Sequence, residues 1–336
     1  MLRFAMIGAG GHAGIAILPA LRLVDIDLIA IADLNEELAR SRARSFGIDR
    51  VYTDFEKMLE VEQLDAVCIV GPPALHHKAG IAVLRSGRHL FTEKPPAPDL
   101  EGALDLQREA RVAGRHAMVG FMKRHAFAYK RAKAISQRAE FGRLTTLRLN
   151  YSHWHFGPLR DHLLFMSIHP IDLARFFMGN VTEGSIYKRA IDGEHVVALM
   201  AKHENGGMSQ ITMSAHEPRV QESVELAGES ALIKVSNLTE LKYYKAASNT
   251  TDAELTDETM ISMWQPEFAI PGERSDNHVL QGYAGELQNF VEAIETGQVL
   301  SPNIDDGVAA MQLVEKISDA RNGISTFTLP VTSSYG

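Results

Sequence analysis

The stretch "FAMIGAGGHAG", residues 4–14, joins a short apolar run to a glycine-rich turn. It places Gly8, Gly10 and Ala13 in a G-x-G-x-x-A pattern, directly after a predicted strand and at the start of a predicted helix. Gly8 permits the tight turn, Gly10 lets backbone approach a pyrophosphate, and Ala13 lets helix and strand pack closely. The N–H groups that begin the helix attract an anion. The pattern predicts a dinucleotide-binding turn, against the alternative of a plain structural turn.

A carboxylate at the end of the second predicted strand supports the dinucleotide interpretation and indicates which coenzyme is favoured. Asp33 ends the second predicted strand, where it can accept hydrogen bonds from both ribose hydroxyls. The same charge repels a 2′-phosphate, and Leu34 offers no compensating cation. NAD is therefore favoured over NADP. Arg40 or Arg42 keeps NADP open as the less favoured alternative, if the second helix tilts.

The order of strand and helix signals predicts two domains. Over residues 1–120, apolar strands alternate with helices, which is typical of a doubly wound parallel sheet covered on both faces, an α/β Rossmann domain. Over 121–336, bunched strands flanked by helices predict an α+β domain with a large open-faced, mostly antiparallel sheet. Asn205-Gly206 predicts a hairpin, and 219–236 a second strand pair. Packing of the C-terminal helix back on the first domain is left open.

The composition excludes several classes of protein. The 336 residues carry a formal charge of −8, so no basic field would hold nucleic acid. A single cysteine, Cys68, rules out an internal disulfide framework and a thiolate-cluster zinc site, and suits a reducing cytosol. We see no signal peptide and no apolar stretch long enough to span a membrane. The expectation is a cytoplasmic protein without a membrane partner.

The segment "HLFTEKPPAP", residues 89–98, starts as a buried strand and ends on a cation held between stiff residues. Lys94 is followed at once by Pro95 and Pro96, so its backbone has little freedom. Such a lysine can be aimed at a single oxygen and stabilise negative charge there. On the residues alone, a surface lysine at a strand end explains the pattern as well.

Taken together, the motifs resemble those of the glucose–fructose oxidoreductase / inositol dehydrogenase (Gfo/Idh/MocA) family. The likeness covers nearly the whole chain, and the order and spacing of its parts make it specific. Besides the phosphate loop, it is carried by "VGPPALHH" (70–77), "TEKPP" (92–96), "IHPIDLARFFMG" (168–179), "YAGELQNFVEAIETG" (283–297) and "DDGVAAMQLVEKI" (305–317).

The resemblance implies a fold and a role for the clamped lysine. In this family a Rossmann domain precedes an open-faced sheet domain, and the lysine of an E-K-P motif sits beside the nicotinamide and the reacting oxygen. Glu93, Lys94 and Pro95 match that motif. The resemblance also implies a cis peptide bond before Pro95.

His169 and Asp172 match the family's H-x-x-D pattern and share one helix face. On the residues alone, a core histidine with a capping aspartate is the simpler interpretation. The resemblance makes His169 the general base for alcohol oxidation, and lets Asp172 orient the ring or touch the substrate. Many relatives also carry an aspartate four positions before the histidine, where this chain has Phe165, and a glycine where it has Ser167.

Two further groups of contacts to the coenzyme follow from position and resemblance. Gly11 and His12 lie within the phosphate loop, with His12 as a spacer that can touch the diphosphate. Pro72, Pro73 and His76 belong to the loop that covers the nicotinamide side in the family. On its own, His76 is equally well explained as a helix N-terminal residue without a ligand.

The substrate wall is expected from "YSHWHFGP" (151–158), which follows a predicted strand. Trp154 can stack on a sugar ring and His155 can bond a hydroxyl, with ordinary edge packing as the alternative. Arg124 matches a position near the family's cleft but is also explained as a surface cation.

A catalytic metal is not expected. Side chains of the types that bind metal ions are present at His153, His155, His162, His169 and Asp172. Their spacing in the sequence matches no compact metal-binding motif.

These observations predict an NAD-linked dehydrogenase acting on a secondary hydroxyl of a sugar, polyol or related carbohydrate. One alternative is another reaction on the same scaffold, such as imine or enal reduction or redox-assisted glycoside chemistry. The other is a non-catalytic NAD-binding ligand sensor. A homodimer or homotetramer, formed through the second sheet, is the expected assembly.

Overall fold

A computed structural model describes residues 1–154, 157–191, 194–245, 261–267 and 276–330. The chain forms two compact units, each built from two segments. The first comprises Met1–His125 and Gly282–Glu315, and the second comprises Ala126–Gln281 and Lys316–Gly336. Among the described residues, no helix is long and apolar enough to cross a membrane.

The first unit contains a six-stranded parallel sheet with the order β3-β2-β1-β4-β5-β6, which is the Rossmann order. Its central strands are buried on both faces, as their unbroken apolar runs predict. The strands are β1 (Leu2–Ile7), β2 (Ile26–Ala32), β3 (Arg50–Tyr52), β4 (Ala66–Ile69), β5 (His89–Thr92) and β6 (Ala117–Val119).

The second unit contains a nine-stranded mixed sheet with the order β14-β13-β12-β11-β7-β10-β9-β8-β15. All described neighbours pair antiparallel except β7 and β10. The strands are β7 (Leu144–Ser152), β8 (Val181–Ile191), β9 (Glu194–His203), β10 (Met208–Ser214), β11 (Gln221–Gly228), β12 (Ala231–Ser236), β13 (Glu240–Lys245), β14 (Ile261–Trp264) and β15 (Gly323–Thr328). The predicted fold class is confirmed.

The helices begin and end where capping residues allow. Asn35 and Asp99 accept hydrogen bonds from the first turns of α2 and α5, and Gly47 and Gly114 end those helices in the left-handed conformation. In chain order the helices are α1 (Leu18–Leu21), α2 (Glu36–Phe46), α3 (Phe55–Val61), α4 (Pro73–Arg85), α5 (Leu100–Ala113), α6 (Phe127–Ser136), α7 (Leu159–His162), α8 (Ile168–Met178), α9 (Asn277–Leu280), α10 (Tyr283–Thr296) and α11 (Ile304–Asp319).

Helix α10 is part of the first unit's core although it comes late in the chain. The Phe290 ring meets the edge of Phe4 at 5.9 Å between centroids and lies 6.1 Å from Phe91. Leu287 and Phe290 are fully buried in the same cluster. Because residues three and four apart share a helix face, this packing also turns Tyr283 and Glu286 toward the sheet.

The second sheet has one covered face and one open face. Helices α6 and α8 pack on its covered side, where Ile186 and Leu199 are buried. Side chains of the opposite face remain exposed, among them Tyr187, Met200 and Ile324. The open-faced sheet expected from the sequence is therefore present.

Candidate active site

The phosphate loop has the geometry that its glycines predict. Gly8 has a φ of 100°, and a Cβ at this position would lie 1.9 Å from the carbonyl oxygen of Val70. Its N–H instead donates to the Ala32 carbonyl at 2.8 Å. Gly10 and Gly11 have no atom within 4 Å of where their Cβ atoms would be. The loop is thus closed on the sheet side and open where a diphosphate would approach.

Asp33 holds the loop and faces a small cavity. Its two carboxylate oxygens accept hydrogen bonds from the N–H groups of Ala9 at 2.7 Å and Asn35 at 2.8 Å. The cavity measures about 190 Å³ and is lined by Asp33, Gly8 and the apolar side chains of Leu34, Phe55, Pro72 and Leu75. An apolar slot with one carboxylate at its edge suits a flat base attached to a ribose.

The two arginines that would favour NADP are engaged elsewhere. Arg40 pairs with Glu36 at 2.6 Å. Arg42 donates from Nε to the Ala9 carbonyl at 3.2 Å, with its guanidinium against Gly14. Both arginines thus have protein partners in this structure.

The E-K-P segment ends β5 and is tied to the phosphate loop. The Lys94–Pro95 bond is cis. Buried Glu93 accepts from the Lys94 N–H at 3.1 Å and contacts His12 Nε2 at 3.2 Å. Burial would raise the pKa of Glu93, but the hydrogen bond and charge of His12, with the charge of Lys94, lower it overall. Glu93 is therefore an anion beside the lysine.

Lys94 lies in surroundings that disfavour its charge. Burial lowers the pKa of its ammonium, and Lys123 lowers it further, while Glu93 and Glu286 oppose the shift. An ammonium whose pKa is lowered toward neutrality is suited to stabilising an oxyanion and to exchanging a proton.

His76 fixes the backbone behind the lysine. Its Nε2 accepts from the Gly71 N–H at 2.9 Å, so Nδ1 carries the proton and donates to the Pro95 carbonyl at 2.8 Å. Burial lowers the pKa of His76, which keeps the ring neutral. His76 thus joins the Pro72-Pro73 loop to the E-K-P segment.

Arg124 is buried, at 6% exposure, and donates to Asp306 at 3.0 Å. It also reaches the Ser301 hydroxyl at 3.4 Å. These contacts lie within the first unit, so Arg124 anchors the start of α11 there. Its predicted contact with substrate stays a prediction.

In the second unit, His169 and Asp172 are both buried on α8, at 5% and 1% exposure. A π-helical turn, Leu163–Ser167, precedes this helix and carries the half-buried Phe165. Such turns occur often at functional sites. Because His169 and Asp172 lie three residues apart within α8, they share one face of that helix, as their spacing predicts.

The residues that follow strand β7 carry imidazole and aromatic side chains, His153 and Trp154. His153 is buried, and its ring lies 4.1 Å from that of Trp154 and 6.3 Å from that of His162. Trp154 is 53% exposed, which leaves a face for stacking. His155 lies outside the described residues. Burial lowers the pKa of His162 to about 4, with His153 and His195 contributing.

No set of three or more histidine, cysteine or acidic side chains within the described ranges is arranged to hold a metal ion.

Glu286 was not singled out in the sequence, although in the structure it interacts electrostatically with Glu93 and Lys94. It is fully buried, and its charge acts on Glu93 and Lys94. Its position among Tyr283, Leu287 and Phe290 on one helix face was the available signal, since a glutamate on an apolar face is unusual.

Comparisons with known proteins agree with this geometry. Residues 2–121 match the oxidoreductase family model with an NAD-binding Rossmann fold, and residues 129–234 match the GFO/IDH/MocA C-terminal domain. The chain is 24% identical to the myo-inositol 2-dehydrogenase of Thermotoga maritima, over 93% of this chain and 94% of that protein.

Solved structures show the same fold over nearly the whole length of the chain. A dehydrogenase from Chromobacterium violaceum has a TM-score of 0.85 and 25% identity, covering 95% of this chain and 94% of its own. A levoglucosan dehydrogenase in complex with NADH has a TM-score of 0.83 and 20% identity, covering 97% and 98%. With both family domains matched in order, the chain belongs to the Gfo/Idh/MocA family of oxidoreductases, and its first unit is that family's NAD-binding Rossmann fold.

Proposed function

We propose that the protein is an NAD-dependent dehydrogenase that transfers hydride between nicotinamide and a secondary hydroxyl, or the matching ketone, of a sugar, polyol or related carbohydrate. The observation that carries the proposal is a chain of contacts within the first unit. His12 in the open phosphate loop contacts Glu93, and Glu93 accepts a hydrogen bond from the Lys94 N–H. The name of the Thermotoga maritima relative supports the polyol class.

The proposed mechanism gives each side chain one task. Bound NAD supplies the hydride acceptor. The hydroxyl proton passes to His169, and the ammonium of Lys94 stabilises the negative charge left on that oxygen. That charge is lost as the carbonyl forms and the hydrogen on the carbon leaves, with its electron pair, for the hydride acceptor. Glu93 and His76 hold the lysine's backbone, and Asp172 keeps the imidazole in place. In the reverse direction, His169 returns the proton to the carbonyl oxygen.

A substrate panel tests this proposal. Polyols, aldoses and inositols are offered with NAD, and formation of NADH is followed by absorbance. Oxidation of at least one such alcohol is expected, and reduction of the matching ketone in the reverse direction. Failure with every alcohol would contradict the proposal. Reduction of imines or enals alone, or tight NAD binding without turnover, would support the two alternatives instead.

The alternative of a different reaction on this scaffold rests on Phe165. An apolar ring stands at the position where the family resemblance implies a carboxylate, so the side chain at that position carries no negative charge. Imines and enals offered with NADH separate these chemistries, since their reduction consumes NADH whereas alcohol oxidation forms it.

Coenzyme preference is expected to depend on Asp33. Replacing Asp33 by serine removes the ribose partner and the bond to the Ala9 N–H, so kcat/KM with NAD falls about 10- to 100-fold, each tenfold being ~1.4 kcal/mol. The value with NADP falls less or rises, because repulsion of the 2′-phosphate is lost. Both values are measured at fixed substrate.

Exposed Asp27 on β2, the strand that Asp33 follows, provides the matched control, and Asp27→Ser is expected to leave both values unchanged. A wild-type protein that prefers NADP would contradict the assignment of Asp33.

We also propose that the open face of the second sheet pairs with a second copy. Tyr187 and Ile324 lie opposite each other on β8 and β15, with exposures of 48% and 77%, and Met200 is nearby on β9. Contiguous exposed apolar side chains of this kind mark interaction surfaces. The double variant Tyr187→Glu, Ile324→Glu is expected to shift the protein from a dimer or tetramer to a smaller species in light scattering. Val112→Glu, a change at an exposed residue of α5, is the control.

A further inference from the structure

Glu286 is a carboxyl group in an apolar layer. Its side chain is 0% exposed, and neither carboxyl oxygen has a hydrogen-bond partner among the described residues. The neighbouring Leu287 and Phe290 fill the core against the sheet. Burying a carboxyl group without partners is costly, and a carboxylate costs more than a neutral acid. Packing alone gives no reason for such a residue here.

The charges that face Glu286 belong to the lysine site. Glu93 and Lys94, at the end of β5, act on it directly. Burial raises the pKa of Glu286 well above its usual range, Glu93 raises it further, and Lys94 lowers it. On β4, the buried Cys68 thiol is also affected, since burial and then Glu286 raise its pKa.

The remaining titratable neighbours reach the cluster from other elements. Lys123 acts on Lys94 from the turn Met122–His125, against which α10 packs. His125, on the same turn, lies against Gly285. His12 and His76 act on Glu93 from the phosphate loop and from α4.

Helix α10 also touches the phosphate loop. The ring of Tyr283, one turn before Glu286, meets the edge of His12 at 5.8 Å between centroids. One face of α10 therefore spans from the loop that would hold the diphosphate to the lysine that would face the reacting oxygen. This packing fixes the position of a carboxyl group at the lysine end of that face.

We propose that Glu286 is a positioning residue whose carboxylate, held in the buried face of α10, keeps Lys94 in its ammonium form. This proposal about Glu286 depends on the proposed function in one respect, namely that Lys94 takes part in the reaction. As the solution becomes more alkaline, the Glu286 proton leaves to solvent, and the carboxylate that remains attracts the ammonium. The Lys94 proton is then held more tightly than it would be beside a neutral group.

The protonation states of Glu286 and Lys94 determine in which direction replacement of Glu286 changes the pKa of Lys94. With Glu286 present, loss of one proton gives an ammonium beside a carboxylate, which is stabilised by attraction in a low-dielectric site. With glutamine in its place, the only proton to lose is that of Lys94. The variant lysine should therefore become neutral at lower pH than the wild-type lysine, and the alkaline limb of kcat/KM should move the same way.

The test measures Lys94 itself, without substrate. Wild-type protein and the Glu286→Gln variant are labelled with trace acetic anhydride across a pH series, and acetylation of Lys94 is quantified by mass spectrometry. The apparent pKa of Lys94 is expected to fall by about one unit in the variant. Glu286→Asp, which keeps a carboxyl group one methylene farther away, should lie between the two. Glu292→Gln, at an exposed position of α10, should equal wild type.

An unchanged Lys94 labelling curve in folded Glu286→Gln overturns the proposal, as does an upward shift. If that variant does not fold, Glu286→Asp decides, since an unchanged curve there also overturns it. A purely structural role would lower the melting temperature and leave the labelling curve in place. A shifted curve in a protein that oxidises no carbohydrate would support the inference while rejecting the proposed function.

Discussion

Lys94→Met is expected to lower kcat/KM for the carbohydrate substrate by about 10³-fold, or ~4 kcal/mol of transition-state stabilisation. Methionine keeps most of the length of the lysine stem and its packing, so the change removes chiefly the charge. That charge is most valuable as the alkoxide forms, because the site is desolvated enough to lower the pKa of the ammonium. The loss should appear mainly in kcat, measured by NADH absorbance.

Two variants separate the charge from its placement. Lys94→Arg keeps a cation but replaces a compact ammonium by a planar fork, so partial activity is expected. Lys78→Met, on the exposed face of α4, controls for loss of a surface charge and should retain full activity. Binding of NAD to Lys94→Met should stay within about threefold of wild type, since the loss is assigned to the transition state. Folded Lys94→Met with more than a tenth of wild-type kcat/KM would remove Lys94 from the mechanism.

The first unit was predictable from its sequence because the determining interactions are local. Gly8 must be glycine, since a side chain would strike the Val70 carbonyl, and Asp33 reaches the same loop from the next strand. Turns in the second unit could also be predicted from the sequence. Asn205-Gly206 forms the predicted hairpin between β9 and β10, with Gly206 at a φ of 81°.

Contacts between segments that are distant in the chain could not be predicted from the sequence as the local turns could. The parallel pairing of β7 with β10 joins strands far apart in the chain, and no local signal specifies it. The burial of Glu286 depends on α10 returning to the first unit's core, where Phe290 meets Phe4. The sequence shows a glutamate among helix-spaced apolar residues, but it does not show which segment that helix face packs against.

The role of His76 shows a similar limit. Its sequence position indicated a helix start near the coenzyme, and both ring nitrogens instead have backbone partners. Those bonds fix its tautomer and hold Pro95, so the structure supports a positioning role for His76 behind Lys94. Sequence spacing identifies residue types, but a hydrogen-bond direction requires the fold.

His169→Asn is expected to lower kcat by about 10²- to 10⁴-fold, the usual contribution of a positioned acid or base. Asparagine preserves polarity and approximate size on the buried face of α8 but cannot take up a proton. For alcohol oxidation, the wild-type rate should fall on the acid side of the pH profile, because a protonated ring cannot act as base. In the variant this acid limb should disappear, since the group that titrates there is gone.

The same substitution also tests whether the two side chains act in one step. If His169 takes the proton while Lys94 stabilises the same oxygen, the double variant Lys94→Met, His169→Asn should be little slower than the worse single variant, as expected for groups that act as a unit. His216→Asn, at an exposed position of the second unit, controls for loss of an imidazole and should leave the pH profile unchanged. Multiplicative losses in the double variant, or full kcat in His169→Asn across the pH range, would require another base for the hydroxyl proton.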